Sequence, residues 1–410
     1  MIRNLVVLSF LFLMVNQGVK GQQIDIDFPG GNIIVDQPGS TSTLYYTLDA
    51  DTVGIRPDLR DTSEEWFYWM FRVNGMEGKR VYFQFPKRQV GTMGPAISMD
   101  GGQSWSWQEE KIGEGKDYFV YGFDNSGKEV CFSVGYPYLE KDFTQFIQNY
   151  IDHPQLSLST LTKSEKGRSA ELLEIKAKEA TSKAKVVIAA RHHANEAMVS
   201  FVLEGFIRSM LEDNEPAMAW LRQHVDFLIL PFMDKDGVQD GDQGKLRKPW
   251  DHDVDYAENP IYQSTQALKN TMLNWGEGKI TTVFDLHCPW LFGEWNEHIY
   301  FVGDEDPAIA QEQQRFISIL NEHQSGELVL DAEKAWLPYG EGWNVWEEDG
   351  NLQVPFLDWA KTLTGVKLTS ILEFPFANHG KQVIHPENAR QFGRDMARAL
   401  GIYLKIESSK

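Results

Sequence analysis

Three short apolar runs constrain the fold of this 410-residue chain: Lys185 to Ala190, Ile280 to Leu286 and Leu368 to Leu372. Each is too short for a buried helix, and each has the composition of a strand covered on both faces. Val225 to Leu230 and Ile299 to Val302 add further strand candidates. Between them apolar residues recur at helical spacing over Ala197 to Leu211, and helices are expected over about 263–274, 307–323 and 386–404. Strands interleaved with helices predict an α/β domain with a mostly parallel or mixed central sheet. Functional groups in such sheets gather at the carboxyl ends of the strands.

Those ends carry the chemistry. The first run leads into Arg191-His192-His193-Ala194-Asn195-Glu196, the second into Asp285-Leu286-His287, and the third into Leu372-Glu373. Two imidazoles and one carboxylate, with a fourth position open to water, suit a catalytic zinc ion. His193 and Glu196 are three residues apart, so a turn entering a helix lets both face one point. His287 closes the set from a neighbouring strand. Zinc lowers the pKa of a bound water to about 7 and polarises a carbonyl. A separate carboxylate must take the water's proton and pass it to the leaving amine. Glu373 is the candidate general base, because a carboxylate ending so apolar a strand is unusual. A lone His-x-x-Glu arises often by chance; these donors at successive strand ends are a stronger signal than any one part.

Ala190-Arg-His-His193-Ala-Asn-Glu196, Asp285-Leu-His287 and Leu372-Glu373 resemble the zinc carboxypeptidase family, especially its cytosolic-carboxypeptidase-like branch. Asp234-Lys-Asp-Gly-Val238, Gly241-Asp-Gln-Gly244 and Asp251-His-Asp-Val-Asp-Tyr256 look like a bacterial secreted subgroup. The resemblance implies one zinc per chain on His193, Glu196 and His287, with Glu373 as the catalytic glutamate and His192 as a neighbour. It implies that Arg247 polarises the scissile carbonyl, where a fixed cation beside a developing oxyanion contributes strongly. Tyr339, in Leu337-Pro-Tyr-Gly-Glu-Gly342, matches the substrate-closing tyrosine by its order along the chain. Where the family shows Asp-x-Asn-Arg to dock a terminal carboxylate, this chain has Asp253-Val-Asp255-Tyr256. Asp255 and Tyr256 therefore stand as substrate-binding positions that lack the charge-assisted pair a free C-terminus wants. Repulsion by Asp255 predicts weak activity on free C-termini, unless a basic residue such as Lys248 supplies the charge. Asp234, Asp236, Asp240 and Asp242 read as a solvated acidic loop, since the glycine falls too early for a calcium loop.

Ahead of this domain the rhythm differs. Residues 22 to about 135 read as all-β, with Trp66 to Val73, Arg80 to Phe85, Tyr118 to Tyr121 and Val130 to Val134 as strands, which implies a small β-sandwich. Trp66 to Val73 and Phe132 to Tyr138 also look like the β-domain that precedes catalysis in that branch. Ser98 to Trp105 resembles a sialidase Asp-box, but it occurs once, so a lone hairpin turn is expected. Residues 1–21 read as a signal peptide: Arg3, then a run of eleven residues, Leu5 to Val15, apolar except for Ser9. No Cys ends that run, and no second long apolar run follows, so a secreted or periplasmic chain without a membrane anchor is expected. The two cysteines, Cys131 and Cys288, cannot form a disulfide framework.

The predicted organisation is a leader at 1–21, a β-sandwich at 22–135 and a zinc carboxypeptidase-like α/β domain at 136–410. A net charge of −20 speaks against nucleic acid and against anionic membranes as partners. The expected activity is hydrolysis of an amide bond in a peptide or peptide-like substrate. Alternatives are a zinc deacylase or amidase acting on a small N-acyl or cell-wall peptide compound, and a non-catalytic glycan- or peptide-binding protein.

Overall fold

The computed structural model describes residues 23–36, 52–86, 88–108, 117–345 and 353–409. The leader-like segment lies outside the described residues.

The N-terminal part forms two sheets. One runs in the order Gln23–Asp25, Met70–Asn74, Val130–Ser133, Ala96–Ser98 and Ser106–Trp107. The other runs Ile34–Val35, Thr52–Arg56, Arg80–Gln84 and Tyr118–Gly122. Arg80–Gln84 alternates exposed and buried side chains, as a half-buried strand does. Phe71 and Phe132 of the first sheet meet Phe83 of the second at 5.4 Å each, so the two sheets share one aromatic core. The expected strand over Trp66 to Val73 begins only at Met70. The physical reason is at Tyr68, whose N–H donates to Gln243 Oε1 (2.8 Å) and whose carbonyl accepts from Gln243 Nε2 (2.9 Å). A side chain of the second half takes the place of a neighbouring strand there. The Asp-box-like segment is a hairpin turn in which Asp100 accepts from the N–H groups of Gln103 and Ser104, each at 2.9 Å.

The second half is built on an eight-stranded mixed sheet. Its order is Leu156–Lys163, Ser169–Ile175, Val225–Leu230, Ala184–Ala190, Ile280–His287, Leu368–Glu373, Tyr300–Val302 and Trp336–Leu337. The middle four strands are parallel, and the flanking pairings with Ser169–Ile175 and Tyr300–Val302 are antiparallel. Val186, Ile188 and Ala190 join the core on one face, and Val187 and Ala189 join a second core on the other. Both faces are covered, which is why the run is apolar throughout. The helices Met198–Glu212 and Pro386–Glu407 cross so closely that a Cβ on Gly205 would lie 1.8 Å from the Arg390 carbonyl oxygen. Among the described residues no helix is long and apolar enough to cross a membrane. Cys131 and Cys288 are buried free thiols.

Candidate metal centre

The parallel strands Ala184–Ala190, Ile280–His287 and Leu368–Glu373 deliver their last residues to one edge of the sheet. Past Ala190 the chain turns sharply, with Arg191 in the left-handed region at φ 61°. Such a conformation costs a bulky residue on the order of 1–2 kcal/mol. Buried hydrogen bonds hold it: the guanidinium donates to the Tyr138 carbonyl (3.0 Å), to Ser200 Oγ (3.1 Å) and to the Ala194 carbonyl. The Arg191 carbonyl in turn accepts from the Asp234 N–H at 2.9 Å.

This turn brings His193 Nδ1 to 2.8 Å from Glu196 Oε1. His287, the last residue of its strand, puts Nδ1 at 2.9 Å from Glu196 Oε2 and 3.0 Å from His193 Nδ1. The three side chains are buried. Four ligands about 2.1 Å from a zinc ion stand about 3.4 Å apart at tetrahedral angles, so a small expansion of this triangle admits the ion. Behind the ligands stand carboxylates, as is usual at zinc–imidazole sites. Asp285 Oδ2 lies 2.9 Å from His287 Nε2, and Asp251 Oδ2 lies 3.7 Å from His193 Nε2. Burial alone would favour neutral rings, but the Glu196 carboxylate outweighs it at His193, whose pKa is pushed up to about 9. Asp285 and Glu196 together raise His287 well above the ordinary range. A site that holds extra protons this strongly is electrostatically prepared for a cation. The donor set, the burial and the supporting carboxylates fit zinc.

Glu373 pairs with His287 across the strand ladder and is buried. Its Oε2 has no hydrogen-bond partner among the described residues. Burial pushes its carboxyl up to about 7, with His287 pulling the other way. A second group of potential ligands, His192, Asp253, Asp285 and His287, lies beside the first. In it, both ring nitrogens of His192 are taken: Nδ1 faces Asp285 Oδ1 and Nε2 faces the Tyr256 hydroxyl, each at 2.8 Å. Tyr256, His192 and Asp285 thus form a hydrogen-bonded line behind His287.

Other residues lie differently from expectation. Asp255 is buried, and it accepts from Trp250 Nε1 (2.7 Å), the N–H groups of Ile261 and Tyr262 (2.9 Å each) and Thr265 Oγ1. Tyr256 is buried against His192. Neither presents a substrate-binding surface, and repulsion of a free C-terminus by Asp255 loses its basis because that carboxylate is consumed internally. Arg247 is enclosed by carboxylates: Asp234 Oδ2 (2.5 Å), Asp242 Oδ2 (3.1 Å) and Asp61 Oδ2 (3.3 Å). Its charge is spent within the fold. The acidic stretch is correspondingly not a solvated loop, since Asp234 and Asp242 are buried and Asp236 and Asp240 hold Arg168. Tyr339 is 40% exposed on the loop after Trp336–Leu337. The tyrosine beside Glu373 is instead Tyr300, its partner in the ladder, whose hydroxyl accepts from Trp343 Nε1 at 3.2 Å. The sequence alone does not single out Lys245, two residues before Arg247, because only the fold shows which of the two cations is neutralised.

The zinc carboxypeptidase family model matches residues 143–296 of this chain. An uncharacterized protein of Zymomonas mobilis is 23% identical over 394 residues, 91% of this chain and 94% of that protein. Human cytosolic carboxypeptidase 2 is 33% identical over 121 residues, 27% of this chain and 13% of that much longer protein. The crystal structure of a metallo-carboxypeptidase from Burkholderia cenocepacia superposes with a TM-score of 0.75 at 19% identity, covering 94% of this chain and all of that one.

Proposed function

We propose that this chain, whose residues 143–296 match the zinc carboxypeptidase family model, hydrolyses an amide bond in a peptide substrate with His193, Glu196 and His287 holding the metal and Glu373 as general base. The observation that carries the reading is the convergence of His193 Nδ1, Glu196 and His287 Nδ1 within 3.0 Å of one another, beside a buried Glu373 with an unpartnered oxygen. Zinc bound there would acidify a water and polarise the carbonyl it attacks. Glu373, buried beside the ligands with Oε2 unpartnered among the described residues, is placed to accept a proton at that oxygen as general base. The same oxygen would pass the proton to the leaving amine. Asp285 and Asp251 stand behind the two imidazoles, 2.9 Å from His287 Nε2 and 3.7 Å from His193 Nε2, on the side away from the Nδ1 atoms that face the centre. The leader-like residues 1–21 support export as the setting of this activity.

The test combines metal analysis with product analysis. Purified protein is loaded with zinc and incubated with a panel of peptides and acyl-amino acids, and products are identified by mass spectrometry. About one zinc per chain and shortened peptides are expected, with the metal lost in His193→Ala and His287→Ala. A chain that stays metal-free after loading, or one that cleaves only acyl-amino acids, overturns the reading.

A further inference from the structure

Lys245 sits on a loop joined to the metal-binding turn on both sides. On one side, Gly244 packs so tightly that a Cβ there would lie 2.0 Å from the Ala194 nitrogen and 2.9 Å from the His193 carbonyl carbon. On the other, the Leu246 N–H donates to Asp251 Oδ2 at 2.7 Å, the carboxylate behind His193. The backbone of the residue between them is held by the metal-binding turn on one side and by the carboxylate behind His193 on the other. Its ammonium is 5.8 Å from the centre of the Trp66 ring, which packs 4.9 Å from that of Trp290. Among the described residues no carboxylate comes within 4.0 Å of it. Burial opposes its charge, but the fields of Glu196, Glu373, Asp251 and Asp253 outweigh burial and hold it protonated. Arg247, by contrast, is surrounded by Asp61, Asp234 and Asp242.

We propose that Lys245, not Arg247, is the cation that receives the oxygen of the scissile carbonyl, and that the N-terminal sheets exist in part to place it. This deepens the peptidase reading and rests on it. An ammonium that no carboxylate neutralises, carried on a loop fixed to the metal-binding turn, would meet the charge that develops on that oxygen. Its placement depends on the N-terminal half. The Gly244 N–H donates to Asp61 Oδ2 (2.8 Å), Gln243 is bonded to the Tyr68 backbone, and Asn32 Nδ2 donates to the Gly241 carbonyl (2.7 Å). Trp66 supplies the apolar floor under the ammonium. The first half thereby orients a catalytic residue of the second.

The experiment compares zinc-loaded wild type with Lys245→Met, Lys245→Arg and Lys163→Ala, an exposed lysine of the outermost strand Leu156–Lys163, on peptide pairs that differ only in a free or amidated C-terminus. Zinc content and calorimetric affinity for a phosphonate peptide, which mimics the tetrahedral oxyanion, are measured alongside. Lys245→Met is expected to retain zinc, to lose roughly 10²–10³-fold in kcat/KM on both members of a pair, and to bind the phosphonate more weakly by a comparable factor. Lys245→Arg should recover part of both, and Lys163→Ala should match wild type. Unchanged turnover and phosphonate affinity in Lys245→Met would overturn the proposal. So would a loss confined to the free-acid peptides, which would make Lys245 a clamp for the terminal carboxylate instead. If wild type cleaves neither peptide, the peptidase reading itself fails, and the phosphonate affinities alone decide the role of Lys245.

Discussion

Glu373 owes its raised pKa to burial and His193 owes its own to the Glu196 carboxylate, and each yields a prediction. Glu373→Gln removes the base while keeping the shape of the site. It should retain zinc and lose about 10²–10⁴-fold in turnover, checked by metal analysis and steady-state kinetics on one preparation. His193 in the metal-free protein has its pKa pushed up to about 9 by Glu196, above the unfolded value near 6.5. The stability this ring contributes is therefore complete below about pH 6.5 and is lost as pH rises through about 9. The metal-free protein should lose on the order of 3 kcal/mol across that window. Zinc-loaded protein should not, because the ring is already neutral as a ligand. Urea denaturation of both forms at pH 6.5 and pH 9 tests this; equal losses would place the effect elsewhere. The ligand triad and Glu373 could be picked out in the sequence because His287 and Glu373 close short apolar runs and His193 and Glu196 follow directly on another. The supporting atoms could not, since nothing local tells that Tyr256 turns inward to His192.

At the scale of elements, the helices follow their periodicity closely. The expected helix over Ala197 to Leu211 spans Met198–Glu212, and those near 307–323 and 386–404 span Pro307–His323 and Pro386–Glu407. Periodicity does not report how close two helices come. Gly205 faces the Arg390 carbonyl, and a Cβ on Gly393 would lie 1.9 Å from the Val202 carbonyl oxygen. Gly205→Ala and Gly393→Ala should each push the two helices apart and cost about 1–3 kcal/mol, even though alanine is favoured over glycine in a helix by up to about 1 kcal/mol. Lower melting temperatures with normal zinc content are the expected result, and an unchanged melting temperature would show that the crossing is loose. The strand at Trp66 to Val73 was expected four residues too early because a side chain, Gln243, occupies the backbone groups of Tyr68. No local pattern encodes such a partner 175 residues away.

Across the whole molecule, the carboxylates around Arg247 join the two halves. Asp61 comes from the N-terminal part, and Asp234 and Asp242 from the second half. Removing a guanidinium from among mostly buried carboxylates leaves them uncompensated, so Arg247→Ala should cost about 3–5 kcal/mol. Breaking the exposed pair Arg56–Asp36 should cost less than about 1 kcal/mol. Adding Asp61→Asn to Arg247→Ala should restore part of the loss, measured by urea denaturation of the single and double variants. An Arg247→Ala protein as stable as wild type but with slowed turnover would return the arginine to a role at the substrate.

The sequence by itself determined the layered α/β architecture, the aromatic sheets before it and the four strand-end residues that could hold and use a metal. These are properties of local pattern, because burial on both faces of a strand demands an unbroken apolar run and makes any polar residue at its end conspicuous. Which charges remain available was settled only when the chain was folded. Arg247 and Lys245 are two residues apart and equally basic in the sequence. Asp61, more than 180 residues earlier in the chain, helps to neutralise the first and anchors the Gly244 backbone beside the second. Asp255, which in the sequence reads as a charge facing substrate, is instead satisfied by the N–H groups of Ile261 and Tyr262 at the start of a helix. Net availability of a charged group is a sum over all its neighbours, and most of those neighbours are distant in the chain.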